Sequence, residues 1–137
     1  MKSRISILLF LACCILIPAC SSERQANGRD PVDALIWNQL NSWSLEDEEL
    51  FLSTVHPEIV FAYPGKRLDK QGALELFRYW SENYSNTRVY FHKIIVDRDD
   101  FSVEYQFATT RDRDGARSAS GTVATGTVKD GKLIVWK

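Results

Sequence analysis

The segment that decides the fold runs from Tyr90 to Phe107 and reads YFHKIIVDRDDFSVEYQF. Apolar and polar residues alternate on both sides of Asp97–Asp100, a pattern that predicts an antiparallel hairpin closed by a tight turn. The register brings Lys93 opposite Glu104, and this pairing of opposite charges supports it. The same register predicts inward-facing pairs that share one face of the sheet: Val96 with Phe101, Ile94 with Val103, His92 with Tyr105, and Tyr90 with Phe107.

Two further turns extend this hairpin into a meander. Asp114-Gly115 is typical of a two-residue type I′ turn, and Asp130-Gly131 is a second one. The first turn predicts small residues beside the aromatic ones: Thr122 beside Phe107, Ala124 beside Tyr105, and Gly126 beside Val103. The second predicts Val128 opposite Leu133. Small residues in the middle of this face predict a cavity; the alternative is a core that helix side chains such as Trp37 or Trp80 fill.

Helical periodicity precedes the strands. Asp30-Pro31 is a helix start, Ser44 with Asp47 resembles a capping box, and Asp69 is placed to cap a third helix. The second helix is expected to end at His56-Pro57, and a short strand, Ile59 to Tyr63, precedes the third. We therefore expect an α+β fold in which three N-terminal helices pack on a curved antiparallel sheet.

The N-terminal residues predict where in the cell the protein is located. Lys2 and Arg4 precede 13 almost wholly apolar residues, Ile5 to Ile17, which is too short for a spanning helix and typical of a secretion signal. The sequence Ile17-Pro18-Ala19-Cys20 resembles a bacterial lipobox. We therefore predict a lipoprotein signal peptide over residues 1–19, lipidation of Cys20, a polar tether over residues 20–29, and a domain over residues 30–137. The membrane is then a partner through the lipid, and Ser21 after the cysteine resembles the signal for the periplasmic face of the outer membrane.

The composition of the domain argues against several kinds of functional site. The three cysteines all lie at or before Cys20, so the domain has no thiol for disulfides or thiolate metal sites. Without Lys2 and Arg4 the 17 basic residues fall to 15, against 18 acidic ones, and no basic stripe indicates nucleic acid as a partner. Two histidines without a shared helix face predict no metal site. No phosphate-binding loop or nucleophile elbow is present, and no cofactor is expected.

The order of these elements resembles the nuclear transport factor 2-like superfamily, and its SnoaL-like branch in particular. The motifs that carry the resemblance are turn and packing motifs: Trp37-Asn38, His56-Pro57-Glu58-Ile59-Val60-Phe61, Tyr63-Pro64-Gly65, Gly72, and Asp130-Gly131-Lys132-Leu133-Ile134-Val135-Trp136. The resemblance implies a cone, in which a bent sheet wraps around a long helix and leaves a pocket at the open end. It leaves the activity open, because the superfamily contains acid–base isomerases, dehydratases and cyclases as well as binding domains without activity.

The residues expected to line such a pocket are His92, Tyr105, Tyr90, Tyr63 and Trp80. His92 and Tyr105 are the candidate catalytic pair, because an imidazole titrates near neutral pH and a phenol can polarise a carbonyl. The alternative is a core histidine that bonds Tyr105 or a backbone carbonyl. The predicted register places no carboxylate on the inward face.

The opposite face of the sheet is unusually apolar and is a candidate homodimer face. Its members are Phe91, Ile95, Val123, Ile134 and Trp136. Three functions therefore stay open: an envelope-anchored, non-catalytic protein that binds a small apolar ligand or a protein partner, a cofactor-free acid–base enzyme that uses His92 and Tyr105, and a structural dimerisation module. The first is favoured, because acid–base members of the superfamily use pocket carboxylates.

Overall fold

Residues 30–137 are the part of the chain that the computed structural model describes. The predicted signal peptide, Cys20 and the tether lie outside these residues. The described helices are α1 (Pro31–Leu45), α2 (Glu48–Thr54) and α3 (Lys70–Asn83). The described strands are β1 (Val55–Tyr63), β2 (Lys66–Leu68), β3 (Tyr84–Asp97), β4 (Asp100–Arg111), β5 (Arg117–Lys129) and β6 (Lys132–Trp136).

Aspartates begin all three of these helices. The side chain of Asp30 accepts a hydrogen bond from the backbone N–H of Val32 at 2.8 Å, and Asp69 caps α3 in the same way, as predicted. Ser44, however, does not begin α2, because α1 continues through it to Leu45. Asp47 is the actual cap of α2. The acidic first turn of α2 is where the helix dipole favours negative charge.

The strands form one six-stranded sheet in the order β2-β1-β6-β5-β4-β3. Neighbouring strands are antiparallel except β1 and β6, which run parallel. β1 begins at Val55, four residues before the predicted Ile59, and β2 was not predicted. The three helices pack on this curved sheet, which confirms the predicted α+β fold class.

The first hairpin has the predicted register only near its turn. Val96 pairs with Phe101 and Lys93 with Glu104, but a β-bulge lies at His92. Beyond the bulge the pairing changes by one residue: Phe91 pairs with Tyr105, Tyr90 with Gln106, and Val89 with Phe107. The predicted pairs of His92 with Tyr105 and of Tyr90 with Phe107 are therefore wrong. One extra residue in a strand turns every side chain before it to the other face.

The second hairpin closes with a longer loop than predicted. Residues 112–115 form a four-residue loop, closed by a hydrogen bond from the N–H of Arg111 to the carbonyl oxygen of Ala116 at 2.9 Å. The pairs that result differ from the prediction by two residues: Tyr105 with Thr122, Val103 with Ala124, and Phe101 with Gly126. A change of two residues keeps each side chain on its face. The third turn pairs Val128 with Leu133, as predicted.

The core closes over the small residues of β5. Phe101, Ala124 and Trp136 are buried in it, and a Cβ atom added at Gly126 would lie 2.6 Å from the Phe101 ring. Phe101 therefore fills the space beside Gly126, where a cavity was predicted. Neither of the helix side chains considered in advance, Trp37 and Trp80, is needed there.

Candidate functional site

A groove of about 810 Å³ lies between the first turns of α1 and the edge strand β3. It is open to solvent along β3, which pairs with β4 on one side only. Both elements contribute side chains, and the residues that line it are Asp30, Asp33, Trp37, Val89, Tyr90, Phe91, His92, Lys93, Ile94 and Val96. The groove thus combines apolar and aromatic side chains with two carboxylates at the start of a helix and with the basic side chains of His92 and Lys93.

A stacked aromatic pair forms the apolar part of the groove. The ring centroids of Trp37 and Phe91 are 3.5 Å apart, and the ring planes are 27° from parallel. Phe91 reaches this position because the bulge at His92 turns it towards the helices, where it packs against the core. The bulge therefore allows Phe91 to stack on Trp37 of α1. Bulges often reorient a side chain beside a functional site.

Asp33 supplies the carboxylate that the sequence analysis did not find. Its Oδ1 atom is buried, and within residues 30–137 it has no hydrogen-bond partner. Asp33 lies in the first turn of α1, where the helix dipole favours its charge. The predicted register concerns only the carboxylates of the sheet, whereas the signal that indicates Asp33 is helical spacing. Asp33 precedes Trp37 by four residues, so the two share a face of α1.

Two of the predicted pocket residues border the groove. They are Tyr90 and His92, both exposed, with Tyr90 at 53%. His92 also borders a smaller hollow of about 410 Å³ with Tyr105 and Glu104. The candidate catalytic pair thus comes together only at this second surface. Tyr105 packs partly buried against the core, and this burial raises its pKa to about 12.

The other two predicted pocket residues lie elsewhere. Trp80 packs among aromatic rings of α1, β3 and β4, and its Nε1–H donates to Oγ1 of Thr87 at 3.3 Å. Tyr63 lies beside the turn between β1 and β2. Neither side chain lines the groove.

The predicted dimer face is only partly exposed. Ile95 and Val123 have 51% and 64% of their surface accessible, and Ile134 is half-buried. Placing Trp136 on this face was wrong, because it is 5% exposed and packs against Phe101 and Phe61 in the core. Placing Phe91 there was also wrong, because the bulge at His92 turns its side chain towards the helices. The apolar outer surface is therefore smaller than the sequence predicted.

Among residues 30–137, no three His, Cys, Asp or Glu side chains converge as metal ligands. No helix of this part combines the length and the apolar character that crossing a membrane requires.

Comparison with solved structures shows that the fold is shared widely. TsrD from Streptomyces laurentii superimposes with a TM-score of 0.71 at 17% identity, covering 80% of this chain and 87% of that one. An LEH-like epoxide hydrolase from M. tuberculosis gives 0.69 at 18% identity, with 77% and 79% covered. TerC, co-crystallised with polyporic acid, gives 0.68 at 22% identity, with 78% and 88% covered.

Sequence comparison identifies the family. None of the curated proteins matches the chain. The family model of the SnoaL-like domain matches residues 38–136, which is most of the chain and nearly all of the described domain. The predicted resemblance to the SnoaL-like branch of the nuclear transport factor 2-like superfamily is thereby confirmed, and the chain belongs to the SnoaL-like domain family.

Proposed function

We propose that this protein is an envelope-anchored SnoaL-like protein that binds a small, largely apolar molecule in the groove between α1 and β3. The observation that carries the proposal is the stacked pair of Trp37 and Phe91 in that groove. Apolar and aromatic walls with a few polar groups are typical of small-molecule sites. The volume of about 810 Å³ is within the range of such sites.

Binding without catalysis is the function that we favour. Acid–base chemistry needs two titratable groups on opposite sides of a substrate. His92 and Tyr105 share only the smaller hollow, and Tyr105 keeps its proton far above neutral pH because burial raises its pKa to about 12. The epoxide hydrolase among the structural relatives resembles this chain in fold, and fold alone does not transfer its reaction.

An acid–base enzyme is the second candidate, because Asp33 places a carboxylate in the groove. The sequence-based pair of His92 and Tyr105 would then be replaced by Asp33 acting with His92, which borders the same groove. Turnover of the bound molecule to a product of different mass would establish this candidate, and Asp33→Asn should abolish that turnover.

The proposal also includes a location, which is the cell envelope. The lipobox-like sequence before Cys20 supports acylation of its thiol and attachment to the periplasmic face of the outer membrane. The exposed Ile95 and Val123 support pairing of two copies through the outer face of the sheet. Both parts of the proposal are independent of what the groove holds.

Native mass spectrometry of the full-length protein, purified from the membranes of its own host, tests the binding proposal. We expect an added mass of a few hundred daltons that collisional activation removes. Trp37→Ala should lower the occupancy of this species several-fold, because it removes half of the stacked pair. Tyr79→Ala, an exposed aromatic residue on α3 outside the groove, is the matched control. Equal occupancy in both variants would contradict binding in the groove.

A further inference from the structure

The buried Oδ1 atom of Asp33 needs a hydrogen-bond donor that the described chain does not provide. Buried polar atoms almost always have a partner, so each exception calls for a specific explanation. Asp30, three residues earlier, is different, because its Oδ1 already accepts from the N–H of Val32 at 2.8 Å. Asp33 as a whole is only partly buried and lines the groove, so its carboxylate lies where an incoming molecule can meet it.

The basic side chains nearby do not neutralise this carboxylate. Lys93 and His92 line the groove, but no ion pair joins either of them to Asp33 in the part of the chain that the structure describes. Lys93 is directly opposite Glu104 in the register of the hairpin, and the ion pairs found among residues 30–137 do not include Lys93. The two carboxylates at the start of α1 thus make this end of the groove acidic.

Resting on the proposed binding function, we propose that the molecule in this groove is a protonated amine with an apolar body. Its ammonium group pairs with the carboxylate of Asp33, and its apolar body lies along Trp37 and Phe91. A helix turn separates Asp33 from Trp37, so a charged head and a ring or chain a few carbon atoms away reach both.

An ammonium group satisfies this site better than the alternatives. An ammonium group adds the attraction of opposite charges to its hydrogen bond with the carboxylate, whereas an alcohol offers the hydrogen bond alone, so an alcohol should bind more weakly. A cation next to an indole ring is also attracted by the face of the ring, which favours the same ligand. An anion meets two carboxylates and is disfavoured.

Three soluble probes with one carbon skeleton test this inference: 3-phenylpropylamine, 3-phenyl-1-propanol and 3-phenylpropionate. Their dissociation constants are measured calorimetrically with the full-length protein in lipid nanodiscs, and empty nanodiscs provide the blank. We expect the amine to bind at least about tenfold tighter than the alcohol, and the carboxylate to bind most weakly. Asp33→Asn should weaken binding of the amine about tenfold and change binding of the alcohol about twofold at most. Glu49→Gln removes an exposed acid from the first turn of α2 and is the matched control.

The outcomes separate this inference from the proposed function. Equal affinities of the amine and the alcohol for the wild-type protein would overturn the ammonium assignment, and this comparison does not depend on the folding of any variant. An equal effect of Asp33→Asn on both probes would also overturn it. Failure of all three probes to bind at millimolar concentration would do the same. Binding in the groove as such is decided independently, by the bound mass and its loss in Trp37→Ala.

Discussion

Gly126 lies where three strands and two aromatic rings meet. A Cβ atom there would be 2.1 Å from the carbonyl oxygen of Val135 and 2.6 Å from the ring of Phe101. The oxygen belongs to the backbone of the paired strand and cannot rotate away. We therefore expect Gly126→Ala to lower the free energy of unfolding by about 2 kcal/mol or more.

Urea unfolding of Gly126→Ala beside Gly121→Ala measures this effect. Gly121 is on the same strand and has no atom within 4 Å of its added Cβ, so that variant should unfold near the wild-type midpoint. Equal loss in both variants would mean that the strand tolerates alanine poorly for conformational reasons, and that the close contact at Gly126 is not the cause.

Tyr105 makes stability depend on pH in the alkaline range. Burial raises its pKa in the folded protein to about 12, from an ordinary value of 10.0. Between these two values the unfolded chain releases the proton and the folded chain retains it, so stability present below pH 10 is lost as the pH rises. By pH 11 this residue should cost about 1 kcal/mol of unfolding free energy.

Denaturant unfolding at pH 8 and pH 11 checks the prediction with two conservative variants. Tyr105→Phe should lose less stability over this interval than the wild-type protein. Tyr90→Phe, which removes a hydroxyl from an exposed ring on the adjacent strand, should behave like the wild type. The same pH dependence in all three proteins would be evidence against a buried phenol.

At the level of elements, Asp69 determines where α3 begins. Its Oδ1 accepts from the N–H of Gly72 at 2.9 Å, and no acidic residue in the first turn supplements it. Asp69→Ala should therefore lower the free energy of unfolding by about 1 kcal/mol. Thermal or urea unfolding measures the change, and Asp69→Asn, which keeps a capping oxygen, should retain most of the stability. A full loss in the asparagine variant would point to the charge and not to the cap.

Local signals explain how much of these elements the sequence could predict. Asp30 and Asp69 were identified as caps, and the hairpin at Asp97–Asp100 was placed correctly, because each depends on residues within a few positions. Ser44 was misread because an acceptable cap also occurs three residues later, at Asp47. Choosing between them depends on how far α1 remains packed on its neighbours, which is tertiary information.

The bulge at His92 could not be predicted in the same way. Apolar residues occur on both sides of it, at Phe91 and Ile94, so the alternating pattern fits either register. The structure favours the register that stacks Phe91 on Trp37, a contact between residues 54 positions apart. The location of the candidate site depends on this bulge. The fold prediction was correct without it, but the predicted catalytic pair, His92 and Tyr105, was chosen from the register that lacks it.

At the level of the whole molecule, the parallel pairing of β1 with β6 closes the sheet. The last strand inserts between β1 and β5, and it places Trp136 beside Phe61 and Phe101. The turns alone predict a meander in which each strand pairs with the next, so that β6 lies at an edge of the sheet. An edge position would leave Trp136 exposed. The predicted dimer face was overestimated for this reason. The family resemblance still gave the correct fold, because turn and helix motifs carry it.

The proposed anchor and the proposed groove are close in the chain. Asp30 lines the groove and is ten residues from Cys20, so a lipid on Cys20 would keep that end of the groove within about 35 Å of the membrane surface. An apolar amine that partitions into the bilayer would thus be concentrated near its site. Lipidation of Cys20, if it occurs as proposed, would therefore affect how a ligand reaches the groove.

Cys20→Ser tests the anchor. Without the thiol no thioether to diacylglycerol can form, and each buried CH₂ of such chains contributes about 0.8 kcal/mol to membrane attachment. We expect the wild-type protein in the membrane fraction with the mass of two or three acyl chains, and no acylated species in Cys20→Ser. Cys14→Ser, within the apolar run of the predicted signal, is the control and should fractionate like the wild type. An unacylated wild-type protein that keeps its first 19 residues would contradict the lipoprotein prediction, and the argument for a ligand supplied from the membrane would fail with it.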